Sequence, residues 1–202
     1  MDPQKLSAFR AFYDDYYRER FEKDYQCTTI ITPLIRKYRA PDSLIGDAGC
    51  GFPIVLNALF DSGFKNIFGQ EISRTITDKT HRFPIYPVAL PEIAKTGIDL
   101  LLTHNVLYHL SSAELLEFKK NLLESLSPSG YYMAICDRFD QKSIEFAGHP
   151  IYRWSIQEID ELLSPEFRLI ERKELDVKCS AQCGIWARCQ PLRQQESHRA
   201  SC

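Results

Sequence analysis

From residue 43 onward, short apolar segments alternate with segments of helical period, and this alternation restricts the fold more than any other feature. "SLIGD" reads as a buried strand to about residue 47, and the run from Pro53 to about Ser62 as a helix stopped by Gly63. "KNIFGQEI" is a second strand ending at Glu71, and "IDLLLTHNVLYHL" begins as a fully apolar strand. Ser111 and Glu114 form a capping box, after which Leu115, Phe118, Leu122 and Leu126 keep helical spacing towards Pro128 and Gly130. "YYMAICDRF" is a further strand, and Ser155 with Glu158 caps a helix carrying Ile156, Ile159 and Leu162 on one face. "FRLIERKELDV" and "KCSAQCGIWARC" then follow as two strands with no helix between them. Such alternation predicts right-handed crossovers and a mostly parallel α/β sheet, covered by helices on both faces, with a C-terminal antiparallel hairpin. Ligands of open sheets of this kind sit beyond the carboxyl ends of the strands. That places Asp47 to Gly51, Glu71, and Thr103 to His109 around one crevice.

The flanking segments are plainer. Leu6, Phe9, Tyr13 and Tyr16 fall on one face of an N-terminal helix. Between 73 and 97, "RTITDKTHR" suggests a short helix and "PIYPVAL" an edge strand, since Pro84, Pro87 and Pro91 suit a central ladder poorly. The chain of 202 residues is long enough for one well-buried core. The reading divides it into an N-terminal helical lid (1–24), a main domain (25–190) and a polar, disordered tail (191–202). A formal net charge of -2 supplies no electrostatic footprint for nucleic acid or an anionic membrane. "MDPQKLSAFR" has no apolar signal core, and no run is apolar enough for a bilayer. Seven cysteines without a CxxC pair read as free thiols of a reducing cytoplasm. The spacing of Cys179, Cys183 and Cys189 fits small apolar fillers of a strand better than a zinc site, so no metal is expected.

The stretch "DAGCGFP" carries the first chemical signal. Gly49 and Gly51 let a ligand approach the backbone closely. A dinucleotide fingerprint would need a third glycine, and Pro53 removes an amide that a phosphate would use. The loop suits a polar ligand without a phosphate. In "DAGCG", "GQEIS", "DLLLTHNVLYHL" and "LSPSGYYMAI", in this order, residues 43–135 resemble the class I S-adenosylmethionine (SAM)-dependent methyltransferases, and the order of elements extends the likeness over 25–190.

The resemblance implies a Rossmann-like fold with a seven-stranded sheet, and SAM as cofactor. It gives Asp47 the task of orienting the glycine turn or meeting the ligand's amino group. Ala48, Gly49, Cys50 and Gly51 would border the methionine portion and ribose, and Glu71, with Ile72 beside it, would accept the ribose hydroxyls. His104 and Asn105 would sit at the methionyl end. Many members carry an acid after the third strand for the adenine amine; "YPVALP" has none, which leaves backbone groups near Ala89 and Leu90.

At the acceptor end, a histidine at the position of His109 lines the pocket in some small-molecule methyltransferases and is buried structure in others. Tyr13, Tyr16 and Tyr17 could come over the cofactor, and Tyr108 could face the acceptor. His109, Tyr108, Tyr13 and Tyr17 are the catalytic candidates; Arg138, His149, Arg153 and Trp154 could meet an anionic or aromatic acceptor. The short lid and the absence of an Asn-Pro-Pro-Tyr-like tetrad favour methyl transfer to an O or N of a small molecule. An RNA or protein methyltransferase, and an inactive binding protein of the same fold, stay open as alternatives, as do monomer and homodimer.

Overall fold

The computed structural model describes residues 2–19, 28–137, 145–146, 149–175 and 181–189. Two helices come first, α1 (Pro3–Arg18) and α2 (Thr28–Tyr38). There follow β1 (Ile45–Ala48), α3 (Ile54–Asp61), β2 (Ile67–Gln70), the single turn α4 (Arg74–Thr77), β3 (Ile85–Tyr86) and β4 (Ile98–His104). After a 3₁₀ turn at Leu107–His109 come α5 (Ser112–Ser125) and β5 (Leu126–Asp137), then a small ribbon of β6 (Glu145–Phe146) and β7 (His149–Pro150). The last elements are α6 (Ile156–Leu163), β8 (Phe167–Leu175) and β9 (Ala181–Arg188).

Seven strands pair in the order β3-β2-β1-β4-β5-β9-β8. The first five are parallel, while β9 runs antiparallel to both β5 and β8. Strand order reverses between β1 and β4, the two central neighbours, and this switch point opens a crevice beyond their carboxyl ends.

Alternate side chains of each strand divide the core into two layers. Leu100, Leu102, Met133, Ile135, Cys183 and Ile185 face α2 and α3, through Ile31, Ile35, Leu56 and Leu59. Leu101, Tyr132, Ala134 and Trp186 face α5 and α6, through Phe118, Leu122, Ile156 and Ile159. Buried polar groups in this layer are satisfied: the hydroxyls of Tyr132 and Thr103 share a 2.7 Å hydrogen bond, and Trp186 Nε1 donates to Asp160 at 2.9 Å. Both expected capping boxes form, at Ser111–Glu114 and Ser155–Glu158. Gly63, at φ 101°, turns the chain out of α3.

Three expectations need revision. Helix α2 was not foreseen, because "TTIITPLIRKY" is rich in β-branched residues and holds Pro33; burial of Ile31, Leu34 and Ile35 outweighs that weak propensity. Strand β3 keeps two residues of "PIYPVAL", pinched between Pro84 and Pro87. Cys183 is an apolar filler facing the core and Cys189 lies exposed at the end of β9, while Cys179 lies outside the described residues. The tail 191–202, the junction of lid and main domain at 24–25, and Arg138 also fall outside them. No described helix is long and apolar enough to cross a membrane.

A close approach of backbone to side chain in the sheet yields a stability test. A Cβ on Gly184 would lie 2.4 Å from the fully buried Trp186 ring. Gly184→Ala is expected to destabilise the protein by about 1–3 kcal/mol through overpacking, seen as a lower urea midpoint with an unchanged slope.

Candidate active site

At the end of β1 the backbone makes a bend that only glycine tolerates comfortably. Gly49 and Gly51 have φ of 77° and 50°. A Cβ on Gly49 would lie 2.5 Å from Val106, and one on Gly51 would lie 2.6 Å from the Tyr17 hydroxyl. The bend is tied to β2. Gly49 N and Cys50 N both donate to the Gln70 carbonyl, at 2.8 and 3.1 Å, and Gly51 N donates to Glu71 Oε2 at 2.9 Å. Glu71 Oε1 accepts from Ile72 N and Ser73 N, at 2.7 and 3.1 Å. An ionised carboxylate has about four acceptor sites, so three backbone donors leave room for one more partner. Burial raises the Glu71 pKa, and the same three amides oppose that shift.

Asp47, from β1, is in a different state. It is 3% exposed, and its Oδ1 is buried without a hydrogen-bond partner. Burial, with the Glu71 charge nearby, pushes its pKa up to about 7. A buried carboxylate oxygen left unsatisfied is costly, and a ligand carrying a donor or a cation would relieve it.

Helix α1 roofs the crevice, and polar contacts hold it there. Asp14 Oδ1 accepts from Ser73 Oγ at 2.6 Å and Thr75 N at 3.2 Å, so a residue of α1 serves as cap for α4. Arg10 Nε donates to the Ile72 carbonyl at 3.1 Å, and Lys5 pairs with Glu114 at 2.6 Å. Between these anchors the tyrosines face inward. The Tyr13 hydroxyl and His109 Nε2 are 2.6 Å apart, in a hydrogen bond whose direction follows the imidazole tautomer. Tyr13 stacks on Tyr17 at 5.6 Å, and Tyr17 meets Phe52 edge-on at 5.0 Å. Burial pulls the His109 pKa down to about 3 and that of His104 to about 4, so both imidazoles are neutral at pH 7. Burial above all, with Tyr108 and Glu71 nearby, raises both Tyr13 and Tyr17, which keeps them protonated.

One cavity of about 530 Å³ joins these groups. Its lining brings together Tyr13, Tyr17, Asp47, Gly49, Cys50, Gly51, Glu71, Ile72, Ala89, Leu90, His104, Asn105, Tyr108 and His109. Ala48, expected beside them, is fully buried in β1 and packs into the core instead. Trp154 is also placed differently. Its Nε1 donates to the Leu110 carbonyl at 3.0 Å, and Tyr152 N donates to the Tyr108 carbonyl at 2.8 Å, so this segment braces the turn that carries Tyr108 and His109. Arg153 lies outside the cavity lining, and the side chain of His149 outside the described residues. Phe9, Tyr16, Phe52, Ile54, Val55, Val88, Val106 and Leu110 complete the wall. Asn105, at φ 51°, is the one non-glycine residue with positive φ among those described, and it marks the end of β4 as a shaped position.

No family model matches the sequence, and no curated protein matches it significantly. Solved structures do. A methyltransferase from Synechocystis PCC 6803 acting on magnesium protoporphyrin IX, crystallised with SAM, is 14% identical at a TM-score of 0.70, over 94% of this chain and 98% of its own. The 1,6-didemethyltoxoflavin-N1-methyltransferase of Burkholderia thailandensis, with 1,6-didemethyltoxoflavin and S-adenosylhomocysteine bound, is 14% identical at a TM-score of 0.75, over 95% and 92%. A chain from the complex of the Haloferax volcanii Trm112 methyltransferase activator with a methyltransferase is 14% identical at 0.72, over 91% and 98%. The fold is that of the class I SAM-dependent methyltransferases. Within this methyltransferase fold the cavity occupies the switch point between β1 and β4.

The state of Asp47 gives a pH test. Its native pKa of about 7 lies above its ordinary value of 3.8, so the native state binds the extra proton. The resulting stabilisation is full below about pH 4 and is lost as pH rises through 7. Asp47→Asn removes that dependence. The melting temperature of the variant, relative to the unliganded wild type, is expected to climb between pH 5 and pH 8; a flat difference would show that Asp47 ionises freely.

Proposed function

We propose that this chain is a methyltransferase that uses SAM as methyl donor and acts on an oxygen or nitrogen of a small molecule. The observation that carries the reading is the pair Asp47 and Glu71, which enter one cavity from adjacent parallel strands beside a glycine bend. The residues fit this cofactor. Asp47 Oδ1, buried and lacking a partner, suits the ligand's ammonium, and the remaining acceptor capacity of Glu71 suits a ribose hydroxyl. Gly49 and Gly51 keep the backbone open to the ligand, while Val88, Ala89 and Leu90 offer backbone and apolar groups at the other end. When bound, SAM supplies a methyl group already activated on a sulfonium.

What the protein adds is alignment and exclusion of water. Helix α1 covers the cavity, and its aromatic rings bound the space that an acceptor would enter. A cavity of about 530 Å³ stands in the lower half of the range for small-ligand sites, which favours a small acceptor beside the nucleoside. Tyr13 and His109 form a neutral hydrogen-bonded pair at this end, able to position an acceptor hydroxyl or amine. Tyr108 and Tyr17 flank that pair. In the B. thailandensis neighbour the acceptor is a small heterocycle, a precedent for small-molecule chemistry on this fold.

Two experiments test the proposal. Titration calorimetry should detect SAM binding to wild type, and Glu71→Gln, which keeps the shape but not the charge, should weaken it by roughly tenfold or more. Absence of heat in wild type would exclude the cofactor. Screening metabolite pools for S-adenosylhomocysteine release should then give an acceptor. With that acceptor, Tyr13→Phe is expected to lower turnover by roughly 10–100-fold at unaltered SAM affinity; unchanged turnover would make the Tyr13–His109 pair structural.

A further inference from the structure

The carboxyl end of β3 lacks the acidic residue that an adenine amine could use, yet the segment beyond it is held with care. Residues 88–90 line the cavity and follow β3, the strand on the outer side of β2 in the order β3-β2-β1-β4. Their position depends on a side chain of the neighbouring strand. Gln70, fully buried in β2, donates from Nε2 to the Glu92 carbonyl at 2.9 Å, and its Oε1 accepts from Ala94 N at 3.0 Å. Both halves of one amide are thus spent on the backbone of one loop. Asn121 of α5 adds a third hold, donating from Nδ2 to the Pro91 carbonyl at 3.0 Å. Within the loop, Glu92 N closes on the Ala89 carbonyl at 3.0 Å. The main chain of Gln70 works in the other direction, where its carbonyl accepts both Gly49 N and Cys50 N of the glycine bend.

We propose that Gln70 is the positioning residue of a nucleobase subsite built from the backbone of residues 88–90, and that it sets selectivity for adenine. The inference rests on the methyltransferase reading and deepens it. A nucleoside whose sugar meets Glu71 and whose other end meets Asp47 places its base over the carboxyl end of β3. Side-chain recognition of the base is replaced there by main-chain groups, and main-chain groups discriminate only if they are fixed. Gln70 supplies the fixing from beneath, through two hydrogen bonds that start from a fully buried amide. The same residue thereby sets the distance between the loop and the glycine bend, so that base and methionine ends are registered by one position of β2.

The test compares S-adenosylhomocysteine with S-inosylhomocysteine, in which a carbonyl replaces the adenine amine, by calorimetry on wild type and Gln70→Leu. Wild type is expected to favour the adenine compound by about tenfold or more, as a site with a fixed hydrogen-bonding partner does. Gln70→Leu, which leaves Glu92 O and Ala94 N without their partner, should bind the adenine compound roughly tenfold more weakly and lose most of that preference. A merely structural role would lower the melting temperature and leave the ratio of the two affinities unchanged, and that result overturns the proposal. So does a wild type that binds both compounds equally. Should Gln70→Leu not fold, Asn121→Ala, which frees the same loop at Pro91, is expected to reduce the ratio in the same direction; an unchanged ratio overturns the proposal equally. Failure of wild type to bind either compound would instead remove the methyltransferase reading on which this inference stands.

Discussion

The carboxylate of Glu71 holds the site together. It is buried, it accepts three backbone amides, and those amides come from two different strand ends. Gly51 belongs to the bend after β1, while Ile72 and Ser73 lead into α4. A carboxylate can be kept at such depth because charge-assisted hydrogen bonds offset much of the cost of removing it from water. In return it fixes the bend at a defined height over the sheet. Gln70, the preceding residue, fixes the same bend through its carbonyl and the loop beyond β3 through its side chain.

Helix α1 builds on that platform. Arg10 takes the carbonyl of Ile72 and Asp14 caps the turn beginning at Ser73, so the lid is anchored on the two residues that also serve Glu71. Its inner face is aromatic, and its outer anchors are polar. The result is an enclosure with a floor of two carboxyl groups, Asp47 and Glu71, and a neutral roof of Tyr13, Tyr17 and His109. Such an arrangement suits a positively charged ligand below and an acceptor above. The depressed imidazole and the protonated phenols keep the roof free of charge at neutral pH.

The comparison structures share the fold at 14% identity, which leaves most side chains free to differ. In this chain the backbone logic is a central parallel sheet whose order reverses between β1 and β4, with a glycine bend at the reversal. Part of the cavity wall comes from α1 and from the turn at 107–109, segments that lie outside the sheet.

Local sequence determined the elements whose signals are local. Period-two and period-3.6 patterns, the two capping boxes and the glycine bend each involve residues within a few positions of one another, so they can be read without knowing the fold. Glu71 and Asp47 were legible for the same reason, as acids ending apolar strands. Tertiary structure decided the rest. Helix α2 forms against its own propensity because the sheet buries Ile31, Leu34 and Ile35. Ala48, adjacent to the bend, turns to the core because successive side chains of a strand point to opposite faces. Phe52, Val88 and Val106 enter the wall only through the turns that carry them. The role of Gln70 was hidden because its partners lie 22 and 24 positions away, across a crossover whose path no local pattern specifies.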